Sequence, residues 1–100
     1  MPGMMSVSFC LVAFHYAKPE YREEMIQRLH RAAAVVRTVP GCLDACCWDD
    51  ETTGAIVATA TWDSKEVCQA GFAALDAAHV DWQYDERESR PRDVFSLHQV

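Results

Sequence analysis

The sequence predicts an α+β fold of ferredoxin-like type: one four-stranded antiparallel sheet with two helices on one face, in βαββαβ order. Three observations carry the prediction. Cys42 to Trp48 and Ala55 to Trp62 read as β runs around a polar stretch, Asp49 to Gly54, and so form a hairpin. The segments before and after that hairpin repeat their apolar residues at helical spacing. Apolar runs at Val7–His15 and Asp93–Val100 supply one further strand at either end.

Taken in order, MPGMMS (1–6) is a disordered lead-in, and a single domain occupies 7–100. In VSFCLVAFH both phases are apolar, with Val7, Phe9, Leu11 and Ala13 on one and Cys10, Val12 and Phe14 on the other. A half-exposed strand alternates, so this strand must be covered on both faces. Lys18-Pro19-Glu20 opens a helix, because proline suits the first helical position. Glu20, Glu23 and Glu24 lie near its positive end, while Arg28, Arg31 and Arg37 lie toward the other. Tyr21, Met25, Leu29, Ala32 or Ala33, and Val36 form its buried stripe. Pro40-Gly41 stops it near Thr38.

The hairpin follows, its second strand rich in the β-branched residues Ile56, Val57, Thr59 and Thr61. Asp63 as N-cap with Glu66 three residues on is a capping-box pattern. Val67, Ala70 or Gly71, Ala74 or Leu75, and Ala78 mark a second helix, which Gly71 weakens by roughly 1 kcal/mol. Ala77 to Trp82 either continues it or turns. YDERESRPR (84–92) is charged throughout and predicts a solvated loop, and DVFSLHQV (93–100) is the last strand.

With both helices on one face, the opposite face of the sheet would leave apolar side chains in water. A second copy stacked sheet to sheet covers it, which predicts a homodimer. The 100 residues carry 15 Asp and Glu against 9 Lys and Arg, a net charge of −6. That balance argues against nucleic acid and anionic membrane as partners. No apolar run approaches the roughly 20 residues of a membrane helix, and no basic segment precedes the first apolar stretch as in a secretory signal. Five cysteines (Cys10, Cys42, Cys46, Cys47 and Cys68) fit reduced thiols in a cytoplasm. Cys42-x3-Cys46-Cys47 has poor zinc spacing, so the thiols are expected to be small buried side chains and no metal is expected.

Lys18-Pro19-Glu20, Val39-Pro40-Gly41-Cys42-Leu43 and Thr61-Trp62-Asp63-Ser64 resemble signatures of the antibiotic biosynthesis monooxygenase family of dimeric α+β barrels, over about Val7 to Leu75. The resemblance implies a ligand cavity inside each subunit, between the sheet and its helices. Some relatives oxidise polyketides or quinols with O2 and without metal or flavin; others break down haem or act on a quorum signal. It therefore implies a small aromatic, quinol or polyketide-like substrate and no cofactor. The phase Ile56, Ala58, Ala60, Trp62 would face the cavity, where the two alanines either leave room for a ligand or let a helix approach. Trp62 matches the family tryptophan. It either walls the site with a flat indole and one N–H donor or plugs the strand-to-helix corner.

The chain departs from the polyketide oxidisers at two places. Ala58 stands where they carry asparagine and Cys68 where they carry tyrosine, so two polar groups are missing. In the haem-degrading pattern His79 falls near the ligand position, but Gln69 and Ala70 replace the tryptophan and Val7–His15 lacks the asparagine. The candidate site is thus Trp62, His79 and His15 as catalytic residues, a histidine being the natural base near neutral pH. Ala58, Ala60, Phe72 and Cys68 would touch substrate. His30 and His98 are expected on outer surfaces, and Trp48 and Trp82 are further aromatic walls or core. No nucleophile triad, phosphate loop or carboxylate pair is present. A second reading is a ligand-binding or subunit-interface module of the same fold in which the chemistry is lost.

Overall fold

The structure is a computed structural model describing residues 8–100; the expected lead-in at 1–6 and Val7 lie outside the described residues. Strand β1 (Phe9–His15) is followed by a 3-10 turn (Pro19–Tyr21) and helix α1 (Arg22–Val36). Then come β2 (Cys42–Asp49), β3 (Ile56–Trp62), helix α2 (Lys65–Ala77) and β4 (Asp93–His98). The strands form one antiparallel sheet in the order β2-β3-β1-β4. This is the expected α+β, ferredoxin-like arrangement.

β1, the strand with apolar residues in both phases, takes a central position beside β3. β1 runs antiparallel to β3 with Ala13 opposite Ala58 and Phe9 opposite Trp62. Phe9, Leu11, Ala13 and His15 therefore share the inner face with Ile56, Ala58, Ala60 and Trp62. On that face Phe9, Val39, Trp62 and Cys68 form one buried cluster, and Met25, Leu29 and Ile56 another. The outer face presents Cys10, Val12, Phe14 and Trp48, joined by Phe95 and Leu97 of the edge strand. Phe14 meets Phe95 edge-on at 6.0 Å, and Trp48, Phe95 and Leu97 are about half-exposed. Among the described residues no helix is long and apolar enough to cross a membrane.

Four expectations shift in detail. Proline opens a 3-10 turn, and the α-helix proper starts at Arg22. Ser64, not Asp63, caps α2: its backbone is extended and its Oγ accepts from the Val67 N–H. The Asp63 N–H is taken by the Gly41 carbonyl. Arg28 does not serve the helix end. It turns inward and is buried, and the last turn of α1 holds no basic residue. The charged segment 84–92 is not simply solvated. It is strapped to the chain after β1 by Lys18 N–H to Arg87 O and Ser89 N–H to Tyr16 O, and Glu88 is 3% exposed. The charges find partners inside the segment and beyond it: Arg92 holds Glu88, Glu88 faces His15, and Arg87 reaches Asp81 and Glu24.

Candidate active site

Between the inner face of the sheet, the two helices and the strap lies a cavity of about 290 Å³. Its floor is made of small residues. Register puts Ala13 opposite Ala58 and Ala45 opposite Ala60, so four methyl groups occupy a contiguous patch of three strands. Those methyls leave the room that larger side chains would fill.

One end of the cavity is apolar, lined by Trp62, Cys68, Phe72 and Leu75. Trp62 is 2% exposed and closes β3. Its indole lies against Gly71 of α2, where an added Cβ would come within 2.8 Å of the ring. The glycine that weakens the helix on paper is thus the socket for the tryptophan. Trp62 Nε1 has no hydrogen-bond partner among the described residues. Phe72 packs on Trp82 with centroids 5.0 Å apart, and Trp82 Nε1 donates to Asp76. Burial pushes the Cys47 and Cys68 thiols above their ordinary value, and the bond from Cys46 to Asp44 does the same for Cys46. All three stay protonated at neutral pH.

The other end is polar and is lined by His15, Arg28, Asp81 and Arg92. His15 closes β1, is 4% exposed, and puts Nδ1 3.5 Å from Glu88 Oε1. The Glu88 side chain is fully enclosed, and its other oxygen takes Arg92 Nη2. Arg92 also donates to the Trp82 carbonyl at 2.7 Å. Burial, joined by the positive charges of Arg92 and Arg28, pulls the His15 imidazole down to about 3, so it is neutral at pH 7. Arg28 Nη2 reaches Met25 Sδ at 3.0 Å, and its Nη1 lies 3.5 Å from Asp81 Oδ2.

Of the residues expected from sequence, Trp62, His15, Ala58, Ala60, Phe72 and Cys68 all line this one cavity. His79 does not line it. It is exposed just past α2, with φ of 58°, where its N–H donates to Asp76 O and the Val80 N–H to Leu75 O. That pattern is a helix-ending motif in which the left-handed residue is usually glycine. Arg28, Asp81, Arg92 and the Glu88 behind His15 were not expected. Arg28 had a readable signal, three residues after Met25 and four before Ala32, on the apolar stripe itself. Among the described residues no group of three or more His, Cys, Asp or Glu side chains is placed to hold a metal ion.

The model of the family described as antibiotic biosynthesis monooxygenase matches residues 8–79. The chain belongs to the antibiotic biosynthesis monooxygenase family. The match ends before the strap that brings Glu88 and Arg92 to the cavity. Searching the curated proteins finds no match. Solved structures share the fold at low identity. Rv0793 from Mycobacterium tuberculosis is 17% identical with a TM-score of 0.81, covering 92% of this chain and 94% of its own. PA3566 from Pseudomonas aeruginosa is 18% identical with a TM-score of 0.75, covering 98% and 99%. A mutant of MhuD, solved with two manganese protoporphyrin IX molecules per active site, is 17% identical with a TM-score of 0.73, covering 92% and 94%. His79, which falls near the ligand position of the haem-degrading pattern, lies outside this monooxygenase-family cavity, so it is not placed to hold a haem there.

Proposed function

We propose that this protein is a cofactor-independent monooxygenase for a small aromatic, quinol or polyketide-like molecule, working as a homodimer. The observation that carries the reading is the mostly apolar cavity between sheet and helices, walled by Trp62, whose indole N–H has no partner among the described residues. A buried donor of this kind is costly unless something accepts from it, and a substrate oxygen can do so. The apolar end holds the ring dry beside O2. The chemistry balances on the substrate alone: a phenol and O2 give a quinone and water, with the four electrons supplied by the ring. Trp62, Phe72, Cys68 and the alanine floor position the substrate. Neutral His15 offers one ring nitrogen as donor and the other as acceptor. At a value of about 3 it is too weak to be an efficient base near pH 7, which favours substrates that are already acidic.

The homodimer rests on the outer sheet face, where Val12, Phe14, Phe95 and Leu97 form an apolar surface that a second sheet would cover. A second functional reading is a ligand-binding module without turnover. It draws on Ala58 and Cys68, which line the cavity where a polyketide oxidiser would offer an amide and a phenol.

The test is O2 uptake by purified protein with a panel of dihydroxynaphthacene-type phenols and quinols. Uptake above the buffer rate that falls at least about tenfold in Trp62→Phe supports the oxygenase. Saturable binding with no uptake supports the binding module.

A further inference from the structure

Arg28 is held in an incomplete state. It sits in the middle of α1 and is 3% exposed, yet the acceptors it meets among the described residues are a thioether sulfur at 3.0 Å and an Asp81 oxygen at 3.5 Å. A thioether is a weak acceptor, and 3.5 Å is at the limit of a hydrogen bond. The same Asp81 oxygen lies 2.5 Å from Arg87, which also holds Asp85 and Glu24. That carboxylate is committed outward and half-exposed. Arg92 has a full counter-charge in the enclosed Glu88 and also donates to the Trp82 carbonyl, although its Nε has no partner among the described residues. The inward cation of the cavity is therefore short of a counter-charge, and a buried cation without one is expensive.

We propose that Arg28 is the anchor for an anionic oxygen of the ligand. On this assignment the cavity takes a small aromatic or enolic acid, with its acidic group at Arg28 and its ring toward Trp62. The inference deepens the reading of the cavity as a ligand site and rests on it. A carboxylate, phenolate or enolate would supply the charge-assisted hydrogen bonds that Met25 cannot, and two parallel N–H donors of a guanidinium match two oxygens. Neutral His15 beside it adds no charge, Arg92 is balanced by the enclosed Glu88, and the Asp81 carboxylate at 3.5 Å is shared with Arg87. The apolar end, with Phe72 and Leu75, suits the remaining hydrocarbon. Where the anchored group is a phenolate or enolate, its oxygen arrives already deprotonated, so that step needs no strong base.

The experiment is calorimetric titration of the full chain near neutral pH with 2-naphthoate and its uncharged isostere 2-naphthamide. The acid is expected to bind at least about tenfold more tightly than the amide. In Arg28→Gln the acid should weaken to the level of the amide while the amide is unchanged, and Arg28→Lys should recover part of the preference. Arg28→Met, which places an apolar chain of similar length beside Met25, serves if the glutamine variant does not fold. The wild-type ratio decides alone if neither folds. Equal affinity for acid and amide, or a preference that survives Arg28→Gln, overturns the anchor and leaves the ligand cavity standing. Binding of neither probe overturns both.

Discussion

His15 shows how a side chain's place can be legible in the sequence while its ionisation is not. Its position at the end of the first strand is written in the sequence. Its ionisation is not, because it follows from burial and from the charges of Arg92 and Arg28, and Arg92 comes from a segment over 70 residues away. The folded imidazole resists protonation down to about 3, whereas in the unfolded chain it titrates near 6.5. Below 6.5 the unfolded state therefore binds a proton that the folded state refuses. Stability is full above 6.5 and declines as the pH falls toward 3. His15→Gln should remove up to about 1.4 kcal/mol per pH unit of that decline, measured by urea unfolding at a series of pH values. Arg28 was hidden for a different reason. Counting charges assigned it to the far end of a helix dipole, although its spacing from Met25 places it on the inward stripe.

At the scale of elements, periods of two and 3.6 residues are local, and the order of strands and helices could be read from them. Helix ends were less legible. Asp63 and Ser64 are both good caps; it is Ser64 whose extended backbone and Oγ meet the Val67 N–H, while Gly41, over 20 residues earlier, takes the Asp63 N–H. The strap escaped for the same reason, since Glu24 and His15, which Arg87 and Glu88 meet, belong to other elements. The geometry of α2 makes two substitutions informative. Gly71→Ala gains helix propensity but drives a methyl into the Trp62 ring, and should lose about 1–3 kcal/mol in chemical denaturation. The smaller ring of Trp62→Phe should relieve most of that loss, so the double variant departs from additivity. His79→Gly should raise stability by about 1 kcal/mol, because it removes a β-carbon from a left-handed backbone, and should leave ligand binding unchanged.

Over the whole molecule, the sheet has one face occupied by its own helices and another with Val12, Phe14, Phe95 and Leu97 turned to water. β4 has no buried residue on either side. Phe95→Asp should shift the protein to single subunits in sedimentation at micromolar concentration, since a carboxylate at the centre of an apolar contact has no partner there. A wild-type protein that already sediments as one subunit would remove the homodimer.

The patch of alanines beneath the cavity has a further consequence. Ala13, Ala45, Ala58 and Ala60 owe their places to backbone pairing, and none of them contributes a side-chain hydrogen bond. Each could grow by a few carbon atoms while the ladder beneath it stayed intact. Such a scaffold separates what it takes to fold from what it takes to discriminate. Descendants of this chain could trade one guest for another by single-codon changes in volume, with no rebuilding of the frame.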